Sequence, residues 1–211
     1  MLLLLSAVAA ASGMITPPAP IGATDWIKDE DYPKEALRSN ERGYFLANIS
    51  VSANGAPLHC EPVQVSALSR AACAIVLQRA RFEPASDVEG RAVTSVYPLR
   101  ANFRLRGAGS PAPPVRYAMD LTVDHLPAGT RDPAYTRIAF HVDADGAMGA
   151  CTPTISEPGE RQDVMRLLGE IACGQIGKSY VPPIARDAAG AGLPSVQSVI
   201  VRFHTPAMRG K

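Results

Sequence analysis

Four cysteines carry the clearest chemistry in this 211-residue chain: Cys60, Cys73, Cys151 and Cys173. Four thiols can form two disulfides in three connectivities, or they can ligate a metal ion. The metal alternative is the weaker one, because the sequence has no C-x-x-C pair and no histidine at ligand spacing beside a cysteine. We therefore predict disulfides and no metal site.

The remaining reactive residues give little support for catalysis. The four histidines are scattered, and the chain contains no G-x-S-x-G, H-E-x-x-H or G-x-G-x-x-G motif. We predict a protein that is not an enzyme and has no cofactor. One alternative stays open, a small exported enzyme with a site between the two repeats described below, drawing on His125, His141 or Asp143.

The N-terminus predicts export. Residues 1–11 are rich in Leu and Ala and offer small-residue cleavage sites, which is typical of a signal peptide. The segment is shorter than the roughly 20 apolar residues that cross a bilayer, so we expect no stable membrane span. We predict a signal peptide over residues 1–13, a Pro-rich linker over 14–24 and a periplasmic or secreted location. The net charge of +1 gives no case for nucleic-acid binding.

The chain contains an internal sequence repeat, at an offset of 91 positions. Seven of the 19 positions from residue 44 to residue 62 are identical in the second copy, against roughly one or two expected by chance. The identical pairs are Tyr44/Tyr135, Val51/Val142, Ala53/Ala144, Gly55/Gly146, Ala56/Ala147, Cys60/Cys151 and Pro62/Pro153. Further on the offset is 100, pairing Cys73 with Cys173. Export and repeat together predict one disulfide inside each copy, Cys60–Cys73 and Cys151–Cys173.

The elements that must position these cysteines follow the order strand, strand, helix, strand. In the first copy we predict a short helix and then this series, over residues 32–38, 44–51, 58–65, 68–81 and 93–105. In the second copy an alternating stretch, 117–123, precedes a hairpin, a helix from about 160 to 173 and a strand from 195 to 203. Its apolar stripe (Val164, Leu167, Leu168 and Ile171) puts Cys173 on the opposite side of an ideal helix. We therefore expect Gly174 to end this helix and let Cys173 turn.

A series of motifs in fixed order runs through the first copy. They are Tyr32-Pro33-x-x-Ala36-Leu37-Arg38, Asn54-Gly55, Leu68-x-x-Ala71-Ala72, Arg79-Ala80-Arg81-Phe82-Glu83-Pro84-Ala85, Asp87-x-x-Gly90 and Asn102-Phe103-Arg104-Leu105. Together they resemble the C-terminal domain of the TonB family over residues 25–106. After a Gly/Pro linker at 107–115, the second copy (116–205) keeps only the hairpin, Pro182, Gly190 and Phe203, and would be a divergent second domain.

The resemblance implies an α+β fold of two tandem ββαβ modules, each a three-stranded antiparallel sheet with helices packed on one face. It also implies binding rather than catalysis, because TonB domains grip an extended segment of an outer-membrane receptor at a sheet edge. We expect the closing strand, 93–105, to be that edge, since Pro98 interrupts it and proline is tolerated at edges. The expected partner-binding residues are Val96, Arg100, Asn102 and Arg104. Alternatively, the two arginines are solvated charges that keep the edge from aggregating.

These expectations combine into one hypothesis. The chain would be an exported, non-catalytic TonB-like protein that binds a protein or peptide partner in the cell envelope by sheet-edge pairing. The resemblance implies an outer-membrane receptor segment as the partner and a link to energy-dependent outer-membrane transport. A structural role in envelope assembly is a further alternative, with the second copy covering the edge of the first.

Overall fold

The structure is a computed structural model that describes residues 13–105, 117–154 and 161–206. It is mixed α+β, as predicted. The predicted signal peptide, except Gly13, and the predicted linker at 107–115 lie outside the described residues.

Both halves of the chain have the same order of main elements. The first half contains β1 (Ala19–Ile21), α1 (Lys34–Arg38), β2 (Gly43–Val51), β3 (Pro57–Pro62), α2 (Ala67–Arg79), β4 (Arg81–Glu83), β5 (Ala85–Ser86), β6 (Ala92–Val93) and β7 (Ser95–Phe103). The second half contains β8 (Met119–Thr122), β9 (Ala134–Val142), β10 (Met148–Pro153), α3 (Gln162–Ser179), β11 (Ala185–Arg186), β12 (Gly192–Leu193) and β13 (Ser195–His204).

One sheet runs through both halves, in the order β3-β2-β7-β13-β9-β10, with β8 beside the end of β13. Pairing within each three-stranded set is antiparallel, whereas the closing strands β7 and β13 meet in parallel at the single pair Ser95/Val196. The expectation of two separate three-stranded sheets is therefore wrong. The joint depends on one residue pair at the start of each closing strand, which is too short to leave a sequence pattern.

The helices α2 and α3 lie on opposite faces of this sheet. Side chains alternate along a strand, so Ser95 shares a face with Leu99 and Phe103, which belong to the core under α2. Val196 faces away from Val201 and Phe203, which belong to the core under α3. Because Ser95 and Val196 are direct partners, their side chains lie on the same face. The side that α2 covers in the first half is therefore the side that α3 leaves open in the second.

Local signals explain why α2 begins where it does. The Ser66 hydroxyl accepts the Ser69 N–H at 3.1 Å, and the Ser66 N–H donates to the Ser69 hydroxyl at 2.7 Å. This reciprocal cap satisfies main-chain donors that a helix N-terminus leaves unpaired. The helix then buries Leu68, Ala72 and Val76 against the sheet.

Two short hairpins connect the halves reciprocally. The β5–β6 hairpin of the first half buries Ala85 against Ala139 and Val196 of the second. The β11–β12 hairpin of the second half reaches the first, where the Arg186 N–H donates to the Ser50 hydroxyl at 2.9 Å. Each half thus covers part of the open sheet face of the other.

The structure corrects the prediction of a Pro-rich linker over residues 14–24. Ala19–Ile21 forms β1, which pairs antiparallel with β4. Ile15 is buried beside Ala139 and Val196, and its N–H approaches the Thr152 hydroxyl at 3.4 Å. Composition suggested a linker because prolines dominate the segment. Ile15 instead contributes to the contact between the halves, and β1 adds a strand beside β4 in the first half.

Candidate partner-binding surface

The predicted binding strand, β7, lies between β2 and β13 in the order of the sheet. It pairs with β2 along its whole length but with β13 only at Ser95, so the expectation of an outer edge is wrong at the start of the strand and stays a prediction beyond Ser95. The side chains of Val96, Arg100 and Asn102 project from the face opposite α2, and Val96 is only 4% exposed. Arg100 and Asn102 are half-buried, while Arg104 is exposed just beyond the strand. The four residues are spread along β7 and its exit rather than gathered at one point, and their role in binding stays a prediction.

The outer strands of the sheet are β3 and β10. Val63 N–H donates to Leu46 at 2.9 Å, and Thr154 N–H donates to Arg137 at 3.0 Å. Because ladder bonds alternate in direction, the preceding residues, Pro62 and Pro153, face outward, where neither can donate. Both outer edges therefore end in a proline that limits further pairing, a common protection against aggregation.

A cleft of about 580 Å³ separates the outer part of the first half from the segment after α3. Its walls include Asn48 and Glu61 on one side and Tyr180, Pro182 and Arg186 on the other. Val63 and Val181, at 63% and 90% exposed, stand among its lining residues. The cleft thus combines exposed apolar side chains with the charged side chains of Glu61 and Arg186.

Both predicted disulfides are present. Cys60 on β3 is bonded to Cys73 on α2, and Cys151 on β10 is bonded to Cys173 on α3. The Cα–Cα distances are 5.5 and 5.6 Å, within the usual range for a disulfide. Each bond ties an outer strand to the helix packed on it.

Helix α3 reaches the second disulfide by a route that the sequence interpretation missed. It continues through Gly174 to Ser179, so the expectation that Gly174 ends the helix is wrong. The expected apolar stripe is wrong as well, because Leu167 and Ile171 are 48% and 40% exposed. The buried positions are Val164, Met165, Leu168, Gly169, Ala172 and Ile176. Cys173 borders this face, one turn after Gly169 and one before Ile176.

Gly169 allows α3 to approach β10 closely. A Cβ atom at this position would lie 2.6 Å from the Cβ of Pro153, closer than real carbon atoms pack. The small residue therefore sets the distance between helix and strand next to the Cys151–Cys173 bond. Pro153 and Gly169 belong to different elements, β10 and α3, so no local sequence pattern indicates their contact.

The residues named for an enzyme alternative have ordinary structural positions. His141 lies on β9, where it pairs with Val196. Asp143 accepts the Ala147 N–H at 2.7 Å in the β9–β10 turn. A hydrogen bond with Asp145, and then main-chain donors, hold the pKa of Asp143 below its usual value. No hydrogen bond in the described part of the chain joins His125, His141 and Asp143.

Two absences apply to residues 13–105, 117–154 and 161–206 alone. Within these ranges, no group of three or more His, Cys, Asp or Glu side chains is placed to hold a metal ion. None of the helices there has the length and apolar character needed to span a bilayer.

Comparison with known protein families gives a match in the first half of the chain. Residues 28–105 match the family model described as Gram-negative bacterial TonB protein C-terminal. No curated protein and no solved structure matches the chain. The match covers the first half, from just before α1 to the residues after β7.

Proposed function

Residues 28–105 are a TonB C-terminal domain, and from this we propose that the chain is an exported, non-catalytic envelope protein that binds a protein or peptide partner by sheet-edge pairing. The family match is the observation that carries the proposal. TonB C-terminal domains bind outer-membrane receptors, which makes an extended receptor segment the leading candidate partner. A link to energy-dependent transport across the outer membrane follows from the same match.

We further propose that the second half is a divergent copy of the first. Support comes from the β5–β6 and β11–β12 turns, where Asp87 and Asp187 have equivalent bonds. The Asp87 carboxylate accepts the N–H groups of residues 89 and 91 at 3.0 and 2.9 Å. The Asp187 carboxylate accepts those of residues 189 and 191, both at 2.9 Å. Gly90 and Gly190 follow with φ angles of 77° and 86°.

Export fits the two disulfides, because such bonds persist in oxidising compartments such as the periplasm. Edge pairing fits a protein whose largest element of structure is one seven-stranded sheet. Main-chain bonds would supply affinity and the neighbouring side chains selectivity.

Site-specific cross-linking in Gram-negative cells tests this function. A photoreactive amino acid would replace Arg104 or Val63 in the exported full-length chain, with Leu167 on α3 as the matched exposed control. We expect an outer-membrane receptor among the products from the first-half positions and its absence from the control. If the first-half positions yield no envelope protein above the control, the proposed function is wrong.

One observation favours a second function, a structural role in envelope assembly. The β7 strand, which would be the binding edge in the simplest version of the proposal, meets β13 of the same chain. If the protein has a structural role, β13 would permanently occupy the start of the β7 edge, at Ser95. Cross-links to a structural envelope protein rather than to a receptor would support this function.

A further inference from the structure

We propose that the start of β2 is a docking edge, where residues 43–45 pair with an extended peptide segment that carries an acidic side chain. This inference rests on the proposed function, because it names the place where a partner strand would pair. The site differs from the closing strand that the sequence favoured.

The β2 strand is longer than its outer neighbour β3. Their register runs from Val51/Pro57 to Ala47/Pro62, and the last bond joins the Val63 N–H to Leu46. The chain then turns away and enters α2 after Ser66. Residues 43–45 remain paired with β7 on one side. No described strand occupies their other side.

Tyr44 directs its main chain toward that open side. Ladder bonds alternate, so the residue two positions before Leu46 points its N–H and C=O in the same direction as Leu46. No hydrogen bond from the described residues reaches either group of Tyr44. One partner residue placed opposite Tyr44 in an antiparallel arrangement would therefore make two main-chain hydrogen bonds.

The space beside Tyr44 is a slot of about 250 Å³. Leu46, Val63 and Leu68 contribute apolar surface to its walls, and the α2 N-terminus closes one end. Gly43 has no side chain, so a partner residue opposite it has room for an apolar side chain facing α2. The slot thus suits an alternating segment in which apolar residues flank the residue that pairs with Tyr44.

The charges at the slot favour an acidic partner. Glu41 and Arg42 both line it, but the Glu41 carboxylate accepts the Leu68 N–H at 3.4 Å. Arg42 is exposed, and no described residue forms an ion pair with it. Its guanidinium is the cation that an incoming carboxylate would meet. This complementarity selects an acidic extended peptide over a basic one.

Binding of two labelled hexapeptides to the oxidised full-length protein tests the site. One alternates valine with glutamate and the other alternates valine with lysine, both with blocked ends, and binding is followed by fluorescence anisotropy. We expect the acidic peptide to bind about three- to tenfold more tightly, the effect of exposed charge pairs. Arg42→Glu should remove or reverse this preference, whereas the control Arg131→Glu should leave it unchanged. A preference for the basic peptide in the native protein would overturn the proposal.

A second measurement reports on the main chain directly. The acidic peptide should slow hydrogen exchange at the Tyr44 amide, and an N-methylated version of the peptide should not. Tyr44→Pro, which removes this donor, should weaken peptide binding. The exchange measurement on the native protein remains decisive even if that variant does not fold, and unchanged Tyr44 exchange at saturation would refute the site.

The two proposals fail separately. Receptor cross-linking that persists in Arg42→Glu, together with unchanged Tyr44 exchange, would leave the function standing and exclude the slot. Peptide protection of Tyr44 with no envelope protein cross-linked to the native chain would retain the slot and exclude the function.

Discussion

The main-chain N–H of Val196 donates to the carbonyl oxygen of Thr94 across 2.9 Å. This bond lies at the single pair where β7 and β13 meet, and it joins the two halves of the sheet. The Val196 side chain is buried in the same place with Ile15, Ala85 and Ala139. One residue thus contributes both a hydrogen bond and packing to the contact between the halves.

Val196→Pro should destabilise the whole protein. Proline removes the N–H and leaves the Thr94 carbonyl without its partner, at a cost of about 1–3 kcal/mol in the free energy of unfolding. Urea unfolding followed by circular dichroism measures this. Val196→Ala is the control, because it removes packing while retaining the N–H. If the two variants lose the same stability, the hydrogen bond contributes nothing and this prediction is wrong.

Gly169→Ala and Gly174→Ala should have opposite effects, although both glycines lie in α3. At Gly169 the new methyl group would collide with Pro153, so we expect overpacking to cost about 1–3 kcal/mol. At Gly174 a Cβ meets no atom within 4 Å, so alanine should stabilise the helix by about 0.5–1 kcal/mol. Unfolding curves of both variants check the contrast. A titration of accessible thiols shows whether Gly169→Ala also impairs formation of the Cys151–Cys173 disulfide. If the two variants are equally stable, the close contact between Gly169 and Pro153 is contradicted.

Removing either disulfide should destabilise the protein by similar amounts. The bonds close segments with sequence separations of 13 and 22, and the chain-entropy argument gives about 3 kcal/mol for each. The larger loop adds only about 0.5 kcal/mol, since the effect grows with the logarithm of loop length. Cys60→Ala/Cys73→Ala and Cys151→Ala/Cys173→Ala can be compared by urea unfolding under oxidising conditions. If only one double variant loses stability, the disulfide removed in the other variant does not contribute to the free energy of unfolding, and the prediction is wrong.

The stability provided by Asp31 should depend on pH. Its carboxylate accepts two bonds from the Arg79 guanidinium, at 2.6 and 2.9 Å, and one from the Lys28 N–H at 2.9 Å. The bonds from Arg79, and then that from Lys28, lower the pKa of Asp31 in the folded protein. The contribution is present above the unfolded pKa of about 3.9 and is lost as pH falls through the lowered folded pKa.

Asp31→Asn should therefore lower the unfolding midpoint at pH 7, and the difference from the native protein should shrink toward pH 2. The control is Asp163→Asn, because Asp163 also pairs with an arginine but has a side chain 64% exposed, compared with 10% for Asp31. We expect a smaller effect from the control, since exposed ion pairs contribute little. A deficit of Asp31→Asn that stays constant with pH would assign its effect to something other than the carboxylate charge.

Local elements of this fold were predictable because their signals are local. The repeated Gly55 and Gly146 adopt φ angles of 80° and 95° in the two hairpin turns, and the strands predicted at 44–51 and 195–203 are β2 and β13. The disulfide pairings followed from the repeat, which assigns one pair of cysteines to each half. The family resemblance of the first half was confirmed over residues 28–105.

The errors concern contacts between distant parts of the chain. The apolar stripe on α3 was assigned from side-chain type alone, but Gly169 and Ala172 face the sheet because small residues allow close approach. No local sequence pattern at Val196 or Thr94 indicates that two strands about a hundred positions apart meet there. The pairing of β7 with β13 at Ser95 was missed for the same reason, since nothing near Pro98 in the sequence indicates it.

Because of the reciprocal hairpins, the packing of the family segment extends beyond its own residues. A fragment limited to residues 28–105 would lose Ile15 and the second-half main chain that reaches Ser50. Ala85 would then be exposed to solvent, because the residues that bury it, among them Ala139 and Val196, would be absent. Cutting the chain at the family boundaries would therefore remove contacts that the first half makes with the rest of the fold.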